Sequence, residues 1–200
     1  MTDERFAHDA FFIDQLIRPI ANLYRISTLG SDGGPGQPVA FVRQKKLSIR
    51  EDIRFFADES ETDELFRMKA RQVFDIRGRY DVTSPKGERI GTLEKVLGIS
   101  FVRSTWRVYD ASEQQVALAQ EKHIHVALFR RLIDFVPYGE FAPVVFQFTI
   151  LMDGRQVGEL RRPLGVRDRY TLSIGGDPDK RLDRRVAVAL GIALDALQSR

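Results

Sequence analysis

Apolar and polar residues alternate along much of this chain with a period of two. Phe74, Ile76, Tyr80 and Val82 fall on one face of an extended stretch, and Asp75, Arg77, Arg79 and Asp81 fall on the other. Ser104, Trp106 and Val108 oppose Arg103, Thr105 and Arg107 in the same manner. This is the pattern of antiparallel sheet with one dry and one wet face. Turn signals divide the alternation into hairpins. Strands are predicted over 21–28 and 37–44, separated by GSDGGPGQP, then over 52–57 and 64–71. Further pairs follow at 78–83 and 89–96, at 104–110 and 115–122, and at 144–152 and 155–160. The last of these is joined by Asp153-Gly154, a strong hairpin signal, and one more strand is predicted over 169–174.

A loose repeat underlies the series. Lys46, Lys69 and Lys95 are each followed eight positions later by an arginine (Arg54, Arg77, Arg103) and then by an aromatic (Phe55, Tyr80, Trp106). Arg161, Arg169 and Tyr170 echo the pattern late in the chain. One hairpin-sized unit used several times is the signature of a meandering barrel.

Two segments break the period of two. The stretch from His123 to Val136 carries apolar residues at helical spacing and stops before Pro137. The other, at the C-terminus, predicts a helix over about 179–198. Asp177-Pro178-Asp179 serves as its start, with Asp177 as N-cap. From Val186 to Leu197 only Gly191 and Asp195 interrupt the apolar residues. A helix apolar on every side must be surrounded. At about a dozen residues it falls short of the roughly 20 that cross a bilayer. The strands can supply the surrounding wall, and closing them into a barrel also removes exposed edges. A dimer interface is the alternative enclosure. The expected architecture is therefore mainly β: roughly twelve antiparallel strands closed around the C-terminal helix. Residues 1–19 are read as a segment ahead of a single domain spanning 20–200.

Composition adds exclusions. The 200-residue chain has no cysteine, which removes disulfides, thiolate metal sites and cysteine nucleophiles, and suits a reducing cytoplasm. The acidic N-terminus lacks a signal-peptide pattern. A net charge of +3 permits anionic partners.

The stretches YDVTSPKGERIGTLEK, STWRVYDASEQQVALAQEK and LDRRVAVALGIALDALQSR together resemble the LURP-one-related and scramblase-like proteins of the tubby C-terminal superfamily. The resemblance extends over about residues 20–199 and is carried by pattern and by the C-terminal helix. It implies a twelve-stranded antiparallel barrel around a central hydrophobic helix. It also implies dealings with membranes, since the tubby branch binds phosphoinositides and scramblase-like members act at bilayers. The chain departs from the eukaryotic scramblases in lacking their palmitoylated cysteines. No tubby phosphoinositide motif can be matched residue by residue.

No catalytic signature is present: G-x-S-x-G, a Walker loop and a dinucleotide fingerprint are all missing. His123 and His125 form an H-x-H pair without a third ligand nearby, which reads as surface or capping histidines. Asp177, Asp179 and Asp183 form an acidic cluster that helix capping explains. No cofactor or metal is expected. The basic residues are the most distinctive chemistry. Arg67, Lys69 and Arg71 alternate along one strand, Arg77 and Arg79 begin the next, and Arg103 and Arg107 lie in a later one. Adjoining columns would hold phosphate groups, unless Asp75, Asp81, Glu88 and Glu94 pair with them across the strands. The expected function is a non-enzymatic module binding anionic phospholipid or phosphoinositide head groups, cytoplasmic and peripheral to a membrane. The alternative is an intracellular scaffold for a protein partner. Nucleic acid is disfavoured for want of a run of exposed aromatics.

Overall fold

A computed structural model describes residues 3–17, 21–45, 51–72, 78–96, 104–122, 146–163 and 169–197. Twelve antiparallel strands close into a barrel. They are β1 (Ala10–Ile17), β2 (Ala21–Leu29), β3 (Pro35–Lys45), β4 (Asp52–Phe56), β5 (Glu64–Ala70) and β6 (Arg79–Thr83). The circuit continues with β7 (Arg89–Lys95), β8 (Thr105–Asp110), β9 (Gln115–Glu121), β10 (Gln147–Met152), β11 (Arg155–Arg161) and β12 (Arg169–Ser173). Each strand pairs with its sequence neighbours, and β1 pairs with β12 to close the ring. One helix, α1 (Arg184–Ala196), follows β12.

Eleven of these strands lie close to the predicted ranges. β1 does not: the segment read as preceding the domain supplies the closing strand, with Phe11 opposite Leu172 and Ile13 opposite Tyr170. Its sequence hides this because Phe11, Phe12 and Ile13 are consecutive and all buried, so no alternation shows. The helical stretch expected over 123–136, with His123 and His125, lies outside the described residues.

The hairpin repeat is real in three dimensions. The pairs β2/β3, β4/β5, β6/β7, β8/β9 and β10/β11 each carry a register shift close to their connecting turn. Bulges raise local twist and curvature, which helps a sheet wrap into a barrel.

Helix α1 runs through the lumen. Of its thirteen residues, all but Arg185 and Asp195 are buried. The dimer alternative is therefore unnecessary, since the barrel itself encloses the helix. Small residues make this possible. A Cβ added at Gly191 would stand 3.1 Å from Ile13 Cδ1, and one at Gly91 on β7 would stand 2.8 Å from Val186 Cγ2. Each large apolar side chain hidden in this way contributes about 1.5–3 kcal/mol relative to exposure. Among the described residues, no helix is long and apolar enough to cross a membrane.

The start of the helix corrects the sequence reading. The N-cap is Asp183, whose carboxylate accepts from the Arg185 backbone N–H at 2.9 Å. Asp177 instead organises the preceding turn, accepting from the backbone N–H groups of Arg181 (3.1 Å) and Leu182 (3.0 Å). The chain must first turn from the wall into the lumen, and Pro178 and Asp179 belong to that turn.

Charged groups fix both ends of the helix. Arg184, 2 % exposed, donates to Asp177 Oδ2 at 2.8 Å and to Asp9 Oδ1 at 2.6 Å. It also reaches the carbonyls of Asp177 and Leu182. Burial alone would raise the Asp177 pKa, but the Leu182 amide and the Arg184 guanidinium hold it below the usual carboxylate range. At the other end Asp195 accepts from Tyr24 at 2.7 Å and from Tyr170. Burial, with the Asp195 charge beside it, pushes the Tyr24 phenol well above its ordinary value. Lys95 Nζ donates to the Leu197 carbonyl at 3.2 Å.

Candidate functional site

The alternation that turns apolar residues into the lumen turns the intervening ones onto the outer wall. On β5, Phe66 and Met68 are buried while Arg67 and Lys69 emerge. Lys69 stands opposite Asp52 on β4 and opposite Asp81 on β6. Both carboxylates are already engaged: Asp52 by Arg54 at 3.3 Å, and Asp81 by Arg71 at 2.9 Å. Lys69 itself makes no ion pair among the described residues.

Arg67, Lys69 and Arg71 line an open groove of about 430 Å³, together with Asp81, Thr83 and the β6–β7 turn Ser84-Pro85-Lys86-Gly87. Lys86 is exposed and, like Lys69, has no ion pair among the described residues. The turn is held in shape by the Gly87 N–H donating to the Ser84 carbonyl at 2.9 Å. A larger hollow of about 540 Å³ is lined by Asp153, Asp177 and Asp179 as well as Arg155 and Arg181. Its mixed charge makes it a poorer cradle for an anion.

The predicted basic residues divide in three. Arg67, Lys69 and Arg71 converge on the groove. Arg79 and Arg107 stand further round the wall and share Glu94, at 2.8 and 3.7 Å. Arg79 also lies over the Tyr109 ring, 5.5 Å from its centroid. Arg77 and Arg103 lie outside the described residues, as does Asp75.

Pairing restrains most of the arginines. Arg67 donates to Glu64 at 2.8 Å, and Glu64 also faces Arg54 at 3.8 Å. That shared carboxylate offsets two arginines placed directly opposite each other in the β4–β5 register. Arg71 has the richest set, with both Asp81 oxygens, Thr92 and Glu113. Its hydrogen bond to Asp81 leads in raising its pKa further. Glu113 also binds Arg89 at 2.7 Å, and Arg71 holds its carboxyl below the usual range.

Of the acids expected to pair across strands, Asp81 and Glu94 do so. Glu88 instead accepts from the Ser84 hydroxyl at 3.3 Å. Glu64, Glu113 and Lys86 were not singled out from the sequence. Lys86 sits between the strands predicted over 78–83 and 89–96, so its place in a turn was legible although its proximity to β5 was not. Asp177, from the acidic cluster weighed for metal, spends its carboxylate on Arg184 and two amides. Among the described residues no three metal-ligating side chains group together.

A closed twelve-stranded antiparallel barrel threaded by a C-terminal apolar helix, with a charged outer wall, defines a tubby-like class of architecture. The LURP-one-related family model matches residues 39–195, and the chain belongs to that family. The tubby-like and scramblase-like context is consistent with this membership. No curated protein matches the chain.

Proposed function

We propose that the protein is a non-enzymatic, cytoplasmic binding module that holds the anionic head group of a membrane lipid in the groove between β5 and the β6–β7 turn. The observation that carries this reading is the pair Lys69 and Lys86. Both line the groove, and neither is neutralised by an ion pair among the described residues. Arg67 and the Thr83 hydroxyl line the same groove. Charge-assisted hydrogen bonds from such donors are shorter and stronger than neutral ones. A volume of about 430 Å³ suits a phosphorylated head group rather than a whole acyl chain.

Vesicle co-sedimentation tests the reading. Neutral phosphatidylcholine vesicles are compared with vesicles containing phosphatidylserine or a phosphoinositide. The protein is expected to pellet with the anionic vesicles and to be released as salt shortens the Debye length. A lysine near such a surface is worth about 1 kcal/mol. The double variant Lys69→Gln, Lys86→Gln should therefore bind about 30-fold more weakly. Equal, salt-insensitive pelleting on both vesicles, or an unchanged double variant, would remove this reading.

A further inference from the structure

Three arginines stand abreast on the outer wall. Arg43 on β3 is directly opposite Arg54 on β4, and Arg54 is directly opposite Arg67 on β5. Each lies between two buried residues of its strand (Val42 and Gln44, Ile53 and Phe55, Phe66 and Met68), so all three point outward. With neighbouring strands about 4.8 Å apart the row is about 10 Å wide. Its last member, Arg67, also lines the groove. Like charges placed directly opposite one another destabilise a sheet, so such a row needs anions beside it.

Glutamates supply them in the free protein. Glu64, on β5 itself, faces Arg67 at 2.8 Å and Arg54 at 3.8 Å. Glu61 meets Arg43 at 2.7 Å, and Glu59 meets Arg25 of β2 at 2.5 Å. These last two come from the turn that joins β4 to β5. Residues 57–63 of that turn read ADESETD, four acids and no base. The Ala57 N–H closes it by donating to the Asp63 carbonyl at 2.9 Å. For Glu59 to reach β2, the turn must fold back across β3 at the level of Phe41, which is opposite both Arg25 and Phe56. Phe41 and Phe56 share the outward face with Arg43 and Arg54, yet they are only 5 % and 6 % exposed, as residues beneath a cover are. The turn is a strap laid over the wall and held by exposed ion pairs, each of small worth.

We propose that this strap is an internal competitor of an anionic bilayer: its glutamates occupy Arg25 and Arg43 in the free protein, and on a membrane lipid phosphates take over those arginines and lift it away. The proposal rests on the lipid reading and adds to the groove an arginine row and the segment that regulates it. The β4–β5 and β6–β7 turns leave the barrel at the same end, so a surface that reaches Lys86 also reaches the strap. Each strap pair is one hydrogen bond, from Arg25 Nε to Glu59 and from Arg43 Nη1 to Glu61, whereas a phosphate allows a two-pronged grip on a guanidinium. A bilayer matches the row because it presents many head groups side by side.

Two double variants remove the same charge from the same turn. Glu59→Gln with Glu61→Gln cuts both strap pairs. Asp58→Asn with Asp63→Asn cuts neither, since these aspartates make no ion pair among the described residues. The amide oxygen at position 58 can still accept from the Ser60 N–H, as the carboxylate does at 2.8 Å. On phosphatidylserine-containing vesicles the glutamate variant should bind about tenfold more tightly than the aspartate variant, the combined worth of two exposed pairs. A nitroxide at Ser60→Cys in the cysteine-free chain reads the strap itself. Its motion should quicken on anionic vesicles and stay unchanged on neutral phosphatidylcholine. If neither the parent nor the glutamate variant binds anionic vesicles, the lipid reading and the competitor role fall together. Equal affinities for the two variants, or a label whose motion does not change on anionic vesicles, would overturn the competitor role while leaving the lipid reading intact.

Discussion

Inside the barrel the few charged groups are each held by several partners, whereas on the outer wall there are many and most meet one or two. Arg184 has four acceptors in a nearly dry setting. Among the described residues Arg43 pairs with Glu61 alone, at 2.7 Å, and both side chains remain partly exposed. The difference follows from solvation. Removing an ion from water costs several kcal/mol, so an inward charge persists only where protein groups replace the water completely. An exposed pair gains little, because water was already an adequate partner for both ions. The inner charges therefore fix the position of the helix, while the outer ones are held only weakly.

This contrast can be broken at three points. The largest effect is expected for Arg184→Ala. It would leave the Asp177 carboxylate buried without its cation and cost about 3–5 kcal/mol in denaturant unfolding. The pH dependence should change with it. Asp177 titrates below its unfolded value, so its contribution is present above about pH 4 and is lost as pH falls through the folded pKa. The parent protein should thus lose stability as pH falls below about 4, and Arg184→Ala should lose less over the same range. A loss under 1 kcal/mol would erase the distinction between lumen and wall.

An intermediate effect is expected for Tyr24→Phe, which deletes one of the two phenols on Asp195. A buried hydrogen bond to a charged group is worth about 1.5–3 kcal/mol. The Tyr24 phenol is raised above its ordinary value of 10.0, so its contribution is complete below that pH and is lost as the solution becomes more alkaline. The variant should consequently show a shallower stability decline above pH 10. Identical alkaline profiles for variant and parent would show that the phenol does not anchor the helix end. The smallest effect belongs to the wall. Arg43→Ala should shift stability by less than about 1 kcal/mol, and raised salt should shrink even that.

The same contrast explains what could be read before any coordinates. Inward positions are constrained by burial alone, so the alternation around Tyr80 and Trp106 and the apolar run in α1 announce a barrel and its occupant. β1 escaped because Phe11, Phe12 and Ile13 are all buried, which erases the period of two. The true N-cap was missed because Asp177 and Asp183 carry the same cap chemistry, and only the turn into the lumen chooses between them. Partnerships on the wall were least legible. Glu113 reaches Arg71 across 42 residues of sequence, from a turn belonging to another hairpin. Tyr24 meets Asp195 across 171. Neither distance leaves a local trace, so residue type identified the basic columns while the closed sheet alone decided that, among the described residues, Lys69 makes no ion pair and Arg79 does.

Amide hydrogen exchange along α1 tests the enclosed helix most directly. If the lumen holds it, the amides from Ala189 to Ala196 should exchange as slowly as the most protected strand amides, opening only when the whole barrel unfolds. Exchange of those amides within seconds, while β7 and β12 stay protected, would mean that the helix leaves the barrel on its own and would contradict the account.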